Sequence, residues 1–169
     1  MAGAAIIPAM PRSVRIYEVG ARDGLQNEPT ILPTKTRIEL CNKLAQTGAA
    51  AIETTAFVNP KLVPQMSDAS EIVRAVQSPP GTGLTLPVLI PNMRGYHNAV
   101  EAGVKSVAVM TAASETFSQN NIRMSVAQSC ETAVAILKEA KANGVATRGY
   151  ISCCLGCPFE GDVDYSVVA

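Results

Sequence analysis

Short runs of β-branched and other apolar residues alternate with longer stretches in which apolar positions return every three or four residues. The first pattern marks a buried strand and the second an amphipathic helix. Residues 14–18, 50–54, 86–90, 106–110 and 147–153 read as five strands. Residues 34–46, 68–77, 93–102 and 126–142 read as the helices between them. Thr34 is expected to cap the first helix, with Gly48 just beyond its end and Ile38, Cys41, Leu44 and Ala45 on one face. Asn92 and Ser125 are expected to cap the third and fourth, which Gly103 and Asn143-Gly144 stop. The fourth helix places Val126, Cys130, Ala133, Val134, Leu137 and Ala140 on one stripe. Residues 60–67 are expected to be a loop, and residues 162–169 the opening turns of another helix.

Strand and helix in strict alternation, with no composition break to mark a linker, indicate an α/β fold with a parallel sheet. A small doubly wound sheet is one solution. The final Tyr165-Ser166-Val167-Val168-Ala169 is apolar and uncapped, which favours an interrupted longer fold instead. The expected division is a leader at residues 1–12 followed by one domain over residues 13–169.

Composition narrows the function classes. Hydrophobic residues make up 47% of the chain and charged residues 17%, which supports a packed core. Lys plus Arg and Asp plus Glu balance at 14 each, and there is no Trp, so no basic stripe or stacking platform for nucleic acid is expected. Pro, Gly or a charge interrupts each apolar run before the ~20 residues a membrane span needs. The leader has no basic region of the kind that opens a secretory or transit segment. Five cysteines, three of them at 153, 154 and 157, make no disulfide framework and suit a reducing cytoplasm.

Reactive groups of parallel α/β folds gather at the carboxyl ends of the strands. The first strand runs into Glu18-Val19-Gly20-Ala21-Arg22-Asp23-Gly24-Leu25-Gln26-Asn27, an adjacent cation and anion flanked by glycines. Tight bends at Gly20 and Gly24 let Arg22 and Asp23 share a pocket, where a carboxylate can hold a divalent cation and a guanidinium can steady an oxyanion. A loop ion pair is the competing reading. The second strand leads into Glu53, a charge that needs a partner in so apolar a setting, and Arg22 is the natural one. The fourth and fifth strands lead into Ser114-Glu115 and Ser152-Cys153-Cys154. Cys154-x-x-Cys157 lacks the further ligands of a zinc site, since His97 is the only histidine, and it does not stand where a redox pair would. His97 reads as a solvated helix residue, and Cys41 and Cys130 as core.

The strand-one segment resembles the Arg-Asp-Gly signature of metal-dependent barrels that make or break carbon–carbon bonds beside a thioester. Leu25-Gln26-Asn27 resembles the hydroxymethylglutaryl-CoA lyase branch of that group. Ile52-Glu53-Thr54-Thr55-Ala56-Phe57-Val58, Pro60-Lys61, Val63-Pro64-Gln65-Met66, Ala112-Ala113-Ser114-Glu115 and Arg148-Gly149-Tyr150 through Cys157-Pro158 are similar to it in the same order. The resemblance covers nearly everything after Arg12 and implies a partial (β/α)8 TIM barrel of about five βα units, truncated after strand five. That fits 169 residues against the roughly 250 of a whole barrel.

It also implies retro-Claisen cleavage of 3-hydroxy-3-methylglutaryl-CoA to acetyl-CoA and acetoacetate, with Mg2+ or Mn2+ as cofactor. Asp23 is implied as a metal ligand, and Arg22 as the group that steadies the enolate oxygen. Glu53 would orient Arg22, and Gln26 and Ser114 would line the pocket for an acyl-CoA thioester. The His-x-His pair, asparagine and Gly-Gly-Cys-Pro cysteine that complete such sites do not occur here. The isolated chain is therefore expected to be inactive. Homo-oligomers are implied for the full-length family, and non-specific association for a half barrel whose strands one and five are open edges. A condensing enzyme of the isopropylmalate or homocitrate synthase type, or a non-catalytic partial barrel, are the other readings. No membrane partner is expected.

Overall fold

The computed structural model describes residues 11–169, so residues 1–10 of the expected leader lie outside the described residues. The first strand, β1 (Tyr17–Glu18), runs into a tight turn of helix at Gly20–Gly24 and then α1 (Thr34–Leu44). The second strand segment is split into β2 (Ala51–Ile52) and β3 (Thr55–Ala56), followed by a 3-10 turn at Pro64–Met66 and α2 (Ala69–Ala75). Next come β4 (Val88–Leu89), α3 (Met93–Glu101), β5 (Ser106–Ala112), α4 (Glu115–Ile122) and α5 (Val126–Ala142). The chain continues through β6 (Ala146–Ser152), a small antiparallel pair β7 (Gly156–Cys157) and β8 (Gly161–Asp162), and a 3-10 turn at Tyr165–Val167.

Strand order decides between the two architectures left open by the sequence. β1 pairs in parallel with β2, β3 with β4, β4 with β5, and β5 with β6, so neighbours follow chain order without reversal. The split second strand joins both sides, because Glu53 N donates to Glu18 O and Thr54 N to Pro87 O. A doubly wound sheet reverses direction at a switch point; a wall wound one way with a helix after each strand is part of a (β/α)8 barrel.

The two-residue alternation of strands sorts side chains onto opposite faces of this wall. Val88, Ile90, Val107 and Val109 pack outward with Tyr96, Ala99, Ile136 and Ala140 of α3 and α5. Ala56, Leu89 and Ala108 pack on the other face with Met66, Met110 and Tyr150. A third cluster joins Cys41 and Ala45 to Ile52, Ile72 and Leu84, as the spacing of α1 required. Gly95 lets α3 approach: a Cβ there would stand 2.6 Å from Phe57 O.

Several elements depart from expectation. Pro33, not Thr34, occupies the N-cap position of α1, and its carbonyl accepts from Thr36 N and Arg37 N. Asp68 stands at the N-cap position of α2 but makes no cap hydrogen bond, because Arg37 holds its carboxylate. Asn92 and Ser125 do cap α3 and α5, the latter with a full capping box to Gln128. On α5, Cys130 is exposed and Val134 is half exposed; the buried line is Ser129, Ile136 and Ala140. This face is held against the sheet by Ile136 and Ala140 in the core and by Ser129 Oγ, which meets Thr111 Oγ1 of β5 at 2.5 Å. Residues 162–169 form a strand end and a 3-10 turn rather than a helix, since Asp164 caps Ser166 N and closes the backbone early. α4 had no apolar stripe to betray it; Ser114 caps it, and Arg123 ends it in the left-handed region at φ 57°.

Candidate active site

Beyond β1 the backbone closes on itself, and the amides of Arg22 and Asp23 both donate to Val19 O, at 3.0 and 2.7 Å. Gly20 N donates to Glu18 Oε1 at 2.5 Å, and a Cβ on Gly20 would lie only 2.8 Å from that same oxygen. Glycine is favoured here by close approach rather than by an unusual φ, since a larger residue would displace the Glu18 carboxylate from the Gly20 amide. This turn delivers the Arg22 guanidinium against the carboxylate of Glu53, with Nε 2.5 Å from Oε1. Nη1 of Arg22 meets Asp23 Oδ1 at 2.6 Å.

Glu53 is 0% exposed, in the short break between β2 and β3. A buried carboxylate is sustained only by donors, and Glu53 has two, since Tyr150 Oη of β6 donates to Oε2 at 2.8 Å. Burial, then the hydrogen bond and charge of Glu53, push the Tyr150 hydroxyl well above its ordinary pKa. Burial also raises that of Tyr17. The Arg148 guanidinium lies over the Tyr17 ring, 4.1 Å from its centroid, and 5.1 Å from that of Tyr150. The geometry therefore gathers Arg22, Asp23 and Glu53, and adds Tyr150, to which the sequence assigned no role although its motif stood in the resemblance. The signal that could have singled it out is the two-residue step from Arg148, which puts both side chains on one face of the strand.

The remaining candidates make no hydrogen bond to Arg22, Asp23 or Glu53 among the described residues. Gln26 is half-buried, and its Oε1 is buried with no hydrogen-bond partner among the described residues. Ser114 is buried, accepts from Phe117 N at 3.1 Å, and lies 3.0 Å from Cys157 Sγ. Burial pushes the Cys157 thiol up, but hydrogen bonds from Ser114 and the backbone around Phe159 outweigh it and leave the thiol below its ordinary pKa. His97 is exposed and faces Glu139 at 3.1 Å. The described cavities, among them one of about 500 Å³ beside Asn59, Lys61 and Arg94, are not lined by Arg22 or Glu53.

Asp23 is more than half exposed and offers one carboxylate to a cation. Among the described residues no group of three or more His, Cys, Asp or Glu side chains could hold a metal ion. These residues alone do not fit a divalent cation, which wants six or more oxygen ligands.

The HMGL-like family model matches residues 13–169. The chain belongs to the HMGL-like family. Within it, hydroxymethylglutaryl-CoA lyase from Bos taurus, a mitochondrial protein, is 47% identical over 163 residues, 96% of this chain and 50% of that protein. A cytoplasmic 3-hydroxy-3-methylglutaryl-CoA lyase from Mus musculus is 46% identical over 157 residues, 93% of this chain and 45% of the relative. The crystal structure of hydroxymethylglutaryl-CoA lyase from Pseudomonas aeruginosa superposes with a TM-score of 0.88 at 47% identity, covering 94% of this chain and 52% of that one. The chain thus spans about half the length of the family members it matches. No helix among the described residues is long and apolar enough to cross a membrane.

Proposed function

We propose that this chain forms the amino-terminal wall of a hydroxymethylglutaryl-CoA lyase active site. The reaction is cleavage of 3-hydroxy-3-methylglutaryl-CoA. A base takes the proton of the C3 hydroxyl, whose oxygen becomes the ketone of acetoacetate as the C2–C3 bond breaks. The electron pair passes to the thioester as an enolate, and protonation at C2 gives acetyl-CoA. The chain's share is to stabilise that enolate. Arg22 carries the reading: Glu53 takes its Nε and Asp23 its Nη1, while Nη2 has no protein partner among the described residues and is available to an oxyanion.

Gln26, two residues beyond Gly24, would help line the substrate pocket. Asp23 would supply one oxygen to a divalent cation, magnesium or manganese, whose other ligands the described residues do not provide. Its chemistry, when bound, would be to polarise substrate oxygens. The cytoplasm is the compartment that five free cysteines suit.

The test joins this chain to the carboxyl-terminal half of the Pseudomonas aeruginosa relative and measures acetoacetate release with Mn2+ present. Turnover is expected, with a loss of about 10²–10³ in kcat for Arg22→Gln, as for removal of one oxyanion donor. The chain alone is expected to give none. A completed chain that stays inactive while the intact relative turns over in the same assay, or an Arg22→Gln variant with unchanged kcat, refutes the reading.

A further inference from the structure

Arg22 does not hold its own position. Its Nε is aimed by Glu53, and Glu53 is itself suspended between two donors from opposite edges of the wall, 31 and 97 residues away in the chain. A carboxylate with only the guanidinium as partner could rotate about its terminal torsion and carry Arg22 with it, because that torsion is soft. The second oxygen is pinned by the Tyr150 hydroxyl at 2.8 Å. The Tyr150 ring is located in turn by Tyr17, edge-on at 88° with centroids 6.4 Å apart, and by the Arg148 guanidinium. This hydroxyl is the one polar contact of Glu53 that no part of the reaction chemistry explains.

We propose that Tyr150 is a positioning residue for the lyase reaction. It donates to Glu53 so that Glu53 presents the Arg22 guanidinium in a single orientation toward the developing enolate. The inference rests on the function proposed above. Tyr150 acts through Glu53 and not by touching substrate or metal.

Two measurements on Tyr150→Phe separate the inference from the function it rests on. In the chain itself, hydrogen exchange of the Arg22 Nε–H by nitrogen-15 NMR is expected to speed up about tenfold, the scale of one charge-assisted hydrogen bond. Circular dichroism should be unchanged. In the completed enzyme, kcat is expected to fall about tenfold and KM to change less than about threefold, since only the transition state uses the aimed guanidinium. In a Glu53→Ala background the same substitution is expected to have no further effect on either readout. Unchanged Arg22 exchange in the chain overturns the inference whether or not the completed enzyme is active, as does a kcat effect of equal size with and without Glu53. An inactive completed enzyme with faster Arg22 exchange in Tyr150→Phe overturns only the function.

Discussion

Replacing Glu53 by alanine removes a wholly buried carboxylate and leaves two donors, Arg22 Nε and Tyr150 Oη, facing an apolar gap. Breaking a buried ion pair from one side costs about 3–5 kcal/mol, because the surviving charge stays desolvated. Here relief is partial. The Arg22 side chain is 11% exposed and Nη1 keeps Asp23, whose own side chain is 56% exposed, so the guanidinium can lean toward solvent. The lower end, about 3 kcal/mol, is therefore the expected loss. Against a total of about 5–15 kcal/mol for a domain, that is a large share. In urea unfolding, with a slope near 2 kcal/mol per molar, the midpoint should fall by about 1.5 M. Glu53→Gln keeps the shape and one acceptor oxygen and should cost about 1–2 kcal/mol. A Glu53→Ala loss below about 1 kcal/mol would refute the view that this pair is buried and mutually dependent.

Other outcomes follow from the same structure. Arg37 is buried and its guanidinium joins Asp68, Gln65 O and Thr55 Oγ1; Arg37→Lys cannot span that fork and should cost about 2 kcal/mol or more, read as a lowered urea midpoint. Gly95→Ala drives a methyl group to 2.6 Å from Phe57 O and should lower stability by about 1–3 kcal/mol, seen as a melting temperature lower by about 4 °C or more. Tyr17 and Tyr150 both have pKa values raised above 10.0, so the folded protein keeps their protons after the unfolded chain has lost them. The stabilisation is intact below about pH 10 and declines as pH rises beyond it. Burial also pushes the Cys41 thiol up to about 11, so urea midpoints should hold level to about pH 8 and fall from about pH 9 upward, less steeply above about pH 10 in Tyr150→Phe.

Much of the architecture was legible from local pattern. Asn92 and Ser125 cap helices because their side chains reach the amide three residues on, an interaction contained within one stretch of chain. α4 was not legible: Gln119-Asn120-Asn121 carries no apolar stripe, and its start rests on Ser114. The stripe expected on α5 holds at Ala133, Leu137 and Ala140, which pack on the core, but not at Cys130 and Val134; tertiary contacts of Ser129, Ile136 and Ala140 settle which edge of the stripe faces in. The burial of Arg37 on α1 is decided by tertiary contact, where the turn at Pro64–Met66 meets its guanidinium.

The site divides along the same line. That Arg22 and Asp23 adjoin one another between two glycines, and that Glu53 would need a cation, follows from residue order and the cost of burying charge. Arg22 as that cation also follows from the sequence, and its 2.5 Å contact with Glu53 bears this out; the joining of Glu53 to Tyr150, 97 residues on, depends on strands placed together in the wall. Local sequence encodes which face a side chain takes within its own strand, because the two-residue period is built into the backbone. Which strand lies opposite is set by packing of the whole wall, and only there does a tyrosine with no marked role become the second donor to a buried carboxylate.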